Sequence, residues 1–192
     1  NPHLNRRPLY LLADIGGTNA RFAFVERDNP LPQPIATYAV EEFPSFDDVL
    51  DQLEADWLEL QQQDAVLEGA CLAVAAIPEQ REISFTNNAW RFTAASVATR
   101  LSCEQINIIN DFAAVARALP ALTADDLEAI GGGEAAPCKP MVAIGPGTGT
   151  GVASVVFDQA GAPIVLSGEG GHVDFAPITD IEAKIPVSYT HL

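Results

Sequence analysis

The chain has 192 residues, 48% hydrophobic and 19% charged, a composition typical of a globular protein with one large or two small domains. It contains 26 acidic and 10 basic residues, so its formal net charge is −16. Nucleic-acid grooves and anionic membrane surfaces need clustered positive charge, and this balance argues against both kinds of partner. Lysine occurs only at Lys139 and Lys184, so backbone N–H groups and a metal ion would have to hold any bound phosphate.

Cysteine usage and the absence of targeting signals indicate the compartment. Cys71, Cys103 and Cys138 lie far apart in the sequence and lack metal-ligand spacing. Cys71 lies in an apolar run and is predicted to be a small core residue. No stretch approaches the length of a transmembrane helix, and the first residues show no signal-peptide pattern. We therefore expect a reducing, cytoplasmic location.

The first recognisable element is a hairpin with a glycine turn. Apolar residues 9–13 lead into a polar turn, and a second apolar run covers residues 22–25, which predicts two strands. Gly16 and Gly17 permit φ > 0 and close approach of a ligand to the backbone. Exposed turn N–H groups beside the Asp14 carboxylate would suit a phosphate with a metal ion. An ordinary hairpin with a turn-forming Asp explains these residues equally well.

The next elements alternate between strands and helices after a predicted turn at residues 28–32. A helix begins at Ser45, which forms an S-x-x-D cap with Asp48 and is followed by apolar residues at helical spacing. The alternation predicts an α/β domain with a mixed sheet. The predicted strands cover residues 35–40, 69–77, 83–85 and 105–110, and the further helices cover residues 93–101 and 112–119.

A second hairpin repeats the plan of the first. A short helix capped by Thr123 and a glycine-rich, linker-like stretch at residues 131–140 precede it. Residues 141–157 are again two apolar runs around a glycine turn, with Gly147-Thr148 matching Gly17-Thr18. This similarity between the two hairpins suggests a duplicated architecture, with one turn from each half facing a shared cleft. Neither turn fits the dinucleotide-binding or Walker pattern, which leaves a two-hairpin phosphate clamp.

The Asn110-Asp111 pair ends a predicted strand just before a helix, which is where α/β sheets bind ligands. Asp111 could accept the proton of a substrate hydroxyl that attacks a γ-phosphoryl group. Simple capping of the following helix also explains the pair and, from these residues alone, is the better-supported interpretation.

A glycine-rich block after residues 164–166 holds a carboxylate and an imidazole, Glu169 and His172. Its glycines free the backbone to place both groups near a polyol, whose hydroxyls they could bind. A solvent loop is the alternative, and a metal site is disfavoured because no second His or Cys has suitable spacing. Asn87 and Asn88 could add hydroxyl contacts or could simply form a turn.

Five blocks of the chain match one known family in order. The chain resembles the bacterial glucokinases, which belong to the hexokinase, heat-shock-protein and actin superfamily. The resemblance implies an actin-like (ribonuclease H-like) α/β fold with mixed sheets. It implies a small domain at residues 9–122 and the beginning of a large domain at residues 123–185. The blocks are ADIGGTNAR (13–21), TN with Trp90 (86–90), INDF (109–112), GPGTGTG (145–151) and the highly specific GEGGHVDFAP (168–177).

The resemblance further implies a reaction and a set of site residues. A glucokinase transfers the ATP γ-phosphoryl group to the 6-hydroxyl of glucose with Mg²⁺, and full-length members can form homodimers. By analogy Asp111 is the general base, and we expect Asn88, Asn110, Glu169 and His172 to contact the sugar. Asp14 would also hold Mg²⁺ through water. The residues expected to bind the ATP phosphates and metal are Ala13, Asp14, Ile15, Gly16, Gly17, Thr18, Gly147 and Thr148.

Two departures from the family bear on this expectation. Family members continue well past residue 192, and Pro186 would break the helix that follows the last block. We therefore expect residues 186–192 to be a non-native scar and this chain to be catalytically impaired. No zinc is expected, because the chain has no cysteine after Cys138.

Two other functions stay open at this point. One is phosphorylation of another hexose or amino sugar by an enzyme of the same fold, and the other is sugar sensing by a non-catalytic regulator. The sequence shows no basic DNA-binding segment and keeps Asp111, and both observations favour a kinase.

Overall fold

The computed structural model describes residues 7–60, 65–78, 80–85, 88–133, 136, 138–146, 150–168, 170 and 179–181. Its strands are β1 (Arg7–Ile15), β2 (Asn19–Glu26), β3 (Asn29–Ala39), β4 (Ala65–Val74), β5 (Ile83–Ser84), β6 (Arg91–Phe92), β7 (Gln105–Asn110), β8 (Met141–Pro146), β9 (Thr150–Phe157) and β10 (Pro163–Gly168). Its helices are α1 (Phe46–Leu60), α2 (Ala94–Leu101) and α3 (Asp111–Ala118), with 3₁₀ turns at Val40–Glu42, Leu119–Ala121 and Ala124–Asp126.

The strands form two main sheets. The first has the order β3-β2-β1-β4-β7, in which β1, β2 and β3 are antiparallel neighbours whereas β1, β4 and β7 run parallel. The second is an antiparallel sheet in the order β10-β9-β8. The predicted α/β class with a mixed sheet and both predicted hairpins are thereby confirmed. No helix in the described part of the chain is long and apolar enough to cross a membrane.

Strand β3 is longer than predicted, because it includes most of the segment expected to be a turn. It begins at Asn29 and contains prolines at positions 30, 32 and 34. A proline cannot donate to the hydrogen-bond ladder, but an edge strand tolerates it because one row of its N–H groups has no strand partner. Since β3 is the edge of the first sheet, the prolines that suggested a turn are compatible with a strand.

The core lies between the first sheet and the helices packed on one of its faces. Alternate residues of β1 are at most 5% exposed, and α1 contributes four buried side chains to the same cluster. Full burial of each large apolar side chain contributes about 1.5–3 kcal/mol to folding. Trp90 is also in this core, where its indole Nε1 donates to the carbonyl of Phe43 at 2.9 Å. The β1 and α1 residues are Leu9, Leu11, Ala13, Ile15, Phe46, Val49, Leu50 and Leu53.

The prediction that Cys71 lies in the core is wrong. Strand alternation points its neighbours Ala70 and Leu72 toward α1 and α2 and Cys71 to the opposite face, where it is only partly buried. Partial burial still raises the pKa of its thiol. The buried cysteine is Cys103, which follows α2.

Candidate functional site

The carboxyl ends of three parallel strands meet at one edge of the first sheet. The pairing register aligns Ile15 with Val74 and Val74 with Asn110. Neighbouring strands lie about 4.8 Å apart, so the segments after β1 and β7 leave the sheet about 10 Å from each other. The structure therefore brings the first glycine turn, residues 16–18, to the same edge as Asp111.

The first turn is fixed by backbone hydrogen bonds, and its glycines are not strained. Gly16 N donates to the Asn19 carbonyl, and Val40 N donates to the Thr18 carbonyl, both at 2.9 Å. Neither Gly16 nor Gly17 has a positive φ. A Cβ at Gly16 would lie 3.6 Å from the Asn19 carbonyl oxygen, an ordinary contact. The backbone therefore does not require glycine at position 16.

Asp14 lies near the end of β1, on the face of the sheet opposite to α1 and α2. Its Oδ2 accepts from Nη1 of Arg21 at 2.9 Å across the β1–β2 pair. Within the described residues no three His, Cys, Asp or Glu side chains cluster as a metal site would require. Mg²⁺, however, commonly uses one or two protein carboxylates together with waters and substrate phosphates. An exposed carboxylate such as Asp14 fits that pattern. Arg21, which already binds this carboxylate, would compete with Mg²⁺ for it.

The Asn110-Asp111 pair begins α3. Asn110 is the N-cap, since its Oδ1 accepts the N–H of Ala113 at 3.1 Å, so helix capping applies to this residue. Asp111 Oδ1 accepts the N–H of Phe112 at 2.8 Å. Among the residues that the structure describes, nothing donates to the other carboxylate oxygen of Asp111. A backbone N–H thus orients the carboxylate through one of its two oxygens.

Asn88 lies beside the first turn. It lines a cleft of about 430 Å³ together with Gly17, Thr18 and Glu41. Its Oδ1 accepts the N–H of Trp90 at 2.9 Å, while its buried Nδ2 has no hydrogen-bond partner among the described residues. An unpaired buried polar group costs about 1–3 kcal/mol, which a ligand oxygen could offset. No motif in the sequence pointed to Glu41, which lies on a 3₁₀ turn.

Four predicted ligand residues lie outside the described part of the chain: Gly147, Thr148, Glu169 and His172. The strands that lead to them are present. β8 and β9 pair up to Pro146 opposite Thr150, and β9 and β10 pair up to Val152 opposite Gly168. The second hairpin is therefore confirmed, and the ligand roles of these four residues stay predictions.

Comparison with known sequences gives one consistent family. The glucokinase family model matches residues 11–190. The chain is 38% identical over 175 residues to the glucokinase of Cronobacter sakazakii, covering 91% of this chain and 52% of that protein. For the glucokinase of Colwellia psychrerythraea the identity is 39% over 176 residues, with 91% and 51% covered. The chain spans about half the length of the curated relatives it matches.

Solved structures agree with the sequence match. A glucokinase from an Antarctic psychrotroph superposes with a TM-score of 0.74 at 33% identity, covering 93% of this chain and 55% of that one. A glucokinase from Balamuthia mandrillaris in complex with glucose has a TM-score of 0.61 at 21% identity, with 94% and 54% covered, and shows the shared fold alone. The predicted actin-like fold is thereby confirmed. Because the family model matches nearly the whole sequence, the chain belongs to the glucokinase family.

Proposed function

We propose that the full-length protein phosphorylates the 6-hydroxyl of glucose with ATP to give glucose 6-phosphate. The observation that carries the proposal is the placement of Asp111 at the carboxyl edge of β7, at the same edge as the glycine turn after β1. This arrangement puts a base for the acceptor hydroxyl near backbone groups suited to the donor phosphates. Family membership supplies glucose and ATP as the substrates to test.

Asp111 acts as the general base in this proposal. The hydrogen bond from the Phe112 N–H holds one of its oxygens, so the other can accept the proton of the attacking hydroxyl. Phosphoryl transfer needs little covalent help from the protein and depends mainly on alignment and charge neutralisation. Asn110 uses its Oδ1 for the helix cap, so its contact with the sugar would be a donation from Nδ2.

In this proposal, backbone groups of the two glycine turns hold the ATP phosphates. The chain has only two lysines, so few cationic side chains could take that role. The first turn supplies residues 13–18, and the second supplies Gly147 and Thr148. Mg²⁺ bound through water to Asp14 would neutralise phosphate charge. On the acceptor side, Asn88, Glu169 and His172 contact sugar hydroxyls. A cytoplasmic location and homodimerisation of the full-length protein belong to the same proposal and rest on the family resemblance.

A coupled assay of the full-length protein with ATP, Mg²⁺ and a panel of hexoses and amino sugars tests the proposal. We expect glucose to be the best substrate and Asp111→Ala to lower kcat by about 10²–10⁴-fold, the usual contribution of a general base. An unchanged rate in Asp111→Ala would reject the assignment of the base. Preference for another sugar would support a different kinase, and glucose binding without phosphorylation would support a sensor.

A further inference from the structure

We propose that Phe112 is a positioning residue, which fixes the catalytic carboxylate of Asp111 relative to the second hairpin through a slot formed by Gly145 and Gly151. The inference rests on the proposed function for the role of Asp111, but its geometry is independent of that role. Phe112 immediately follows Asp111, and its ring reaches the second sheet.

The two glycines form the slot because they face each other across the β8–β9 pair. A Cβ at Gly145 would lie 2.9 Å from Cε1 of Phe112 and nearer still to Cζ. A Cβ at Gly151 would lie even nearer to Cε2 and Cδ2 of the same ring. Neither glycine has a positive φ, so the backbone conformation does not demand glycine at these positions. The Phe112 ring demands glycine at both positions, because it occupies the space that the two Cβ atoms would need.

A second contact fixes the other end of the same helix. Arg117 Nη1 donates to the carbonyl of Pro163, on β10, at 2.8 Å. Helix α3 therefore lies across the second sheet with an anchor near each end, although the strand that leads into it belongs to the first sheet. These contacts tie the orientation of α3, and of Asp111 at its start, to the second sheet.

This anchoring has a consequence for the proposed reaction. Asp111 immediately precedes Phe112 in the sequence, and its Oδ1 accepts the N–H of Phe112 itself. Gly147, a predicted phosphate ligand, lies two residues after Gly145 in the sequence. The ring thus couples the position of the acceptor base to the strands that lead to the second phosphate turn. Displacement of a catalytic group by about 1 Å can lower a rate by about 10²-fold.

The test compares size-changing variants of the slot in the full-length protein. We expect Gly145→Ala and Gly151→Ala each to lower kcat by about 10²-fold while the KM and calorimetric Kd for glucose change little. Phe112→Leu, which introduces no clash, should lower kcat by about tenfold with little change in melting temperature. The double variant Phe112→Leu/Gly145→Ala should recover at least about tenfold in kcat over Gly145→Ala, because Leu lacks the Cζ and Cε1 atoms that the methyl group at position 145 would meet.

Gly132→Ala is the matched control, since a Cβ there meets no atom of the described residues within 4 Å, and its kcat should equal that of the wild type. A wild-type kcat in Phe112→Leu would overturn the inference. It would also be overturned if the kcat of the double variant fell by the product of the two single-variant losses. A fall in melting temperature with unchanged kcat would likewise show a purely structural role. An inactive wild-type protein would instead reject the proposed function, so the two failures are distinguishable.

Discussion

The two glycine hairpins share one sequence pattern but use glycine for different reasons. In the first hairpin, a Cβ at Gly16 would make only an ordinary contact, so nothing in the fold demands glycine there. In the second, a Cβ at Gly145 or Gly151 would overlap the ring of Phe112. Glycine therefore leaves room beside the turn of the first hairpin, whereas Gly145 and Gly151, at positions where the first hairpin has Ile15 and Arg21, line a packing slot.

The sheets that carry the hairpins also differ in burial. Alternate residues of β1 are buried under the helices, whereas Val142 and Ile144 of β8 are 54% and 68% exposed. Within the described residues, α3 covers one face of the second sheet, and apolar side chains lie exposed on the other. The first sheet thus has a core of its own in this part of the chain, and the second has much less.

Matched leucine truncations should show the largest difference between the sheets. Leu72 in β4 is 1% exposed and Leu166 in β10 is 50% exposed. Leu72→Ala removes fully buried methyl groups, and we expect a loss of about 2–5 kcal/mol in the free energy of unfolding. Leu166→Ala should change it by less than about 0.5 kcal/mol. Urea denaturation of both variants measures the difference, and equal losses would contradict the contrast in burial.

Alanine in the two glycine sites should separate a ligand surface from a packing slot. Gly151→Ala overpacks the slot, and we expect a loss of about 1–3 kcal/mol in stability. Gly16→Ala should leave the melting temperature almost unchanged but raise the KM for ATP about tenfold, equivalent to about 1.4 kcal/mol of binding. A Gly16→Ala enzyme with wild-type KM for ATP would remove the first turn from the phosphate site.

Two helix caps offer a smaller, paired test. Asn110 caps α3 at the candidate site, whereas Thr93 caps α2 through a reciprocal bond with Ser96. Alanine at either cap should cost about 1 kcal/mol of stability in a denaturation experiment. Only Asn110→Ala should also raise the KM for glucose, because only Asn110 is proposed to contact sugar. A raised KM in both variants would mean that the effect comes from helix destabilisation.

Local signals accounted for most of the predicted elements. Helix α1 begins where the Ser45–Asp48 cap predicted, with Ser45 Oγ accepting the N–H of Asp48 at 3.2 Å. Strand β7 has the predicted bounds, and Thr123 with Asp126 caps a turn, though only a 3₁₀ turn. The strand-end argument also placed Asn110 and Asp111 at the carboxyl end of a strand, just before a helix. These features depend on neighbours in sequence, on side-chain periodicity or on strand direction, which a sequence displays.

The features that sequence reasoning missed depend on contacts between distant residues. The prolines of β3 are tolerated only because that strand lies at the sheet edge, which its own residues do not reveal. Strand β6 has two residues and exists by pairing with β5, so it has no periodicity to detect. The slot for Phe112 joins residues more than thirty positions apart. Only the folded structure shows why positions 145 and 151 are glycine.

The smallest expected effect on stability concerns the ion pair beside the first turn. Arg21 and Asp14 are 57% and 53% exposed, so Arg21→Gln should change the free energy of unfolding by about 0–1 kcal/mol and less at high salt. Loss of the guanidinium should leave Asp14 freer to hold Mg²⁺ through water, and half-maximal activity should then need less Mg²⁺. Arg7→Gln is the control, because Arg7 pairs with Glu26 at 3.0 Å on the same two strands, away from the turn. If Arg21→Gln instead raised the KM for ATP and left the Mg²⁺ requirement unchanged, Arg21 would bind phosphate rather than compete with the metal.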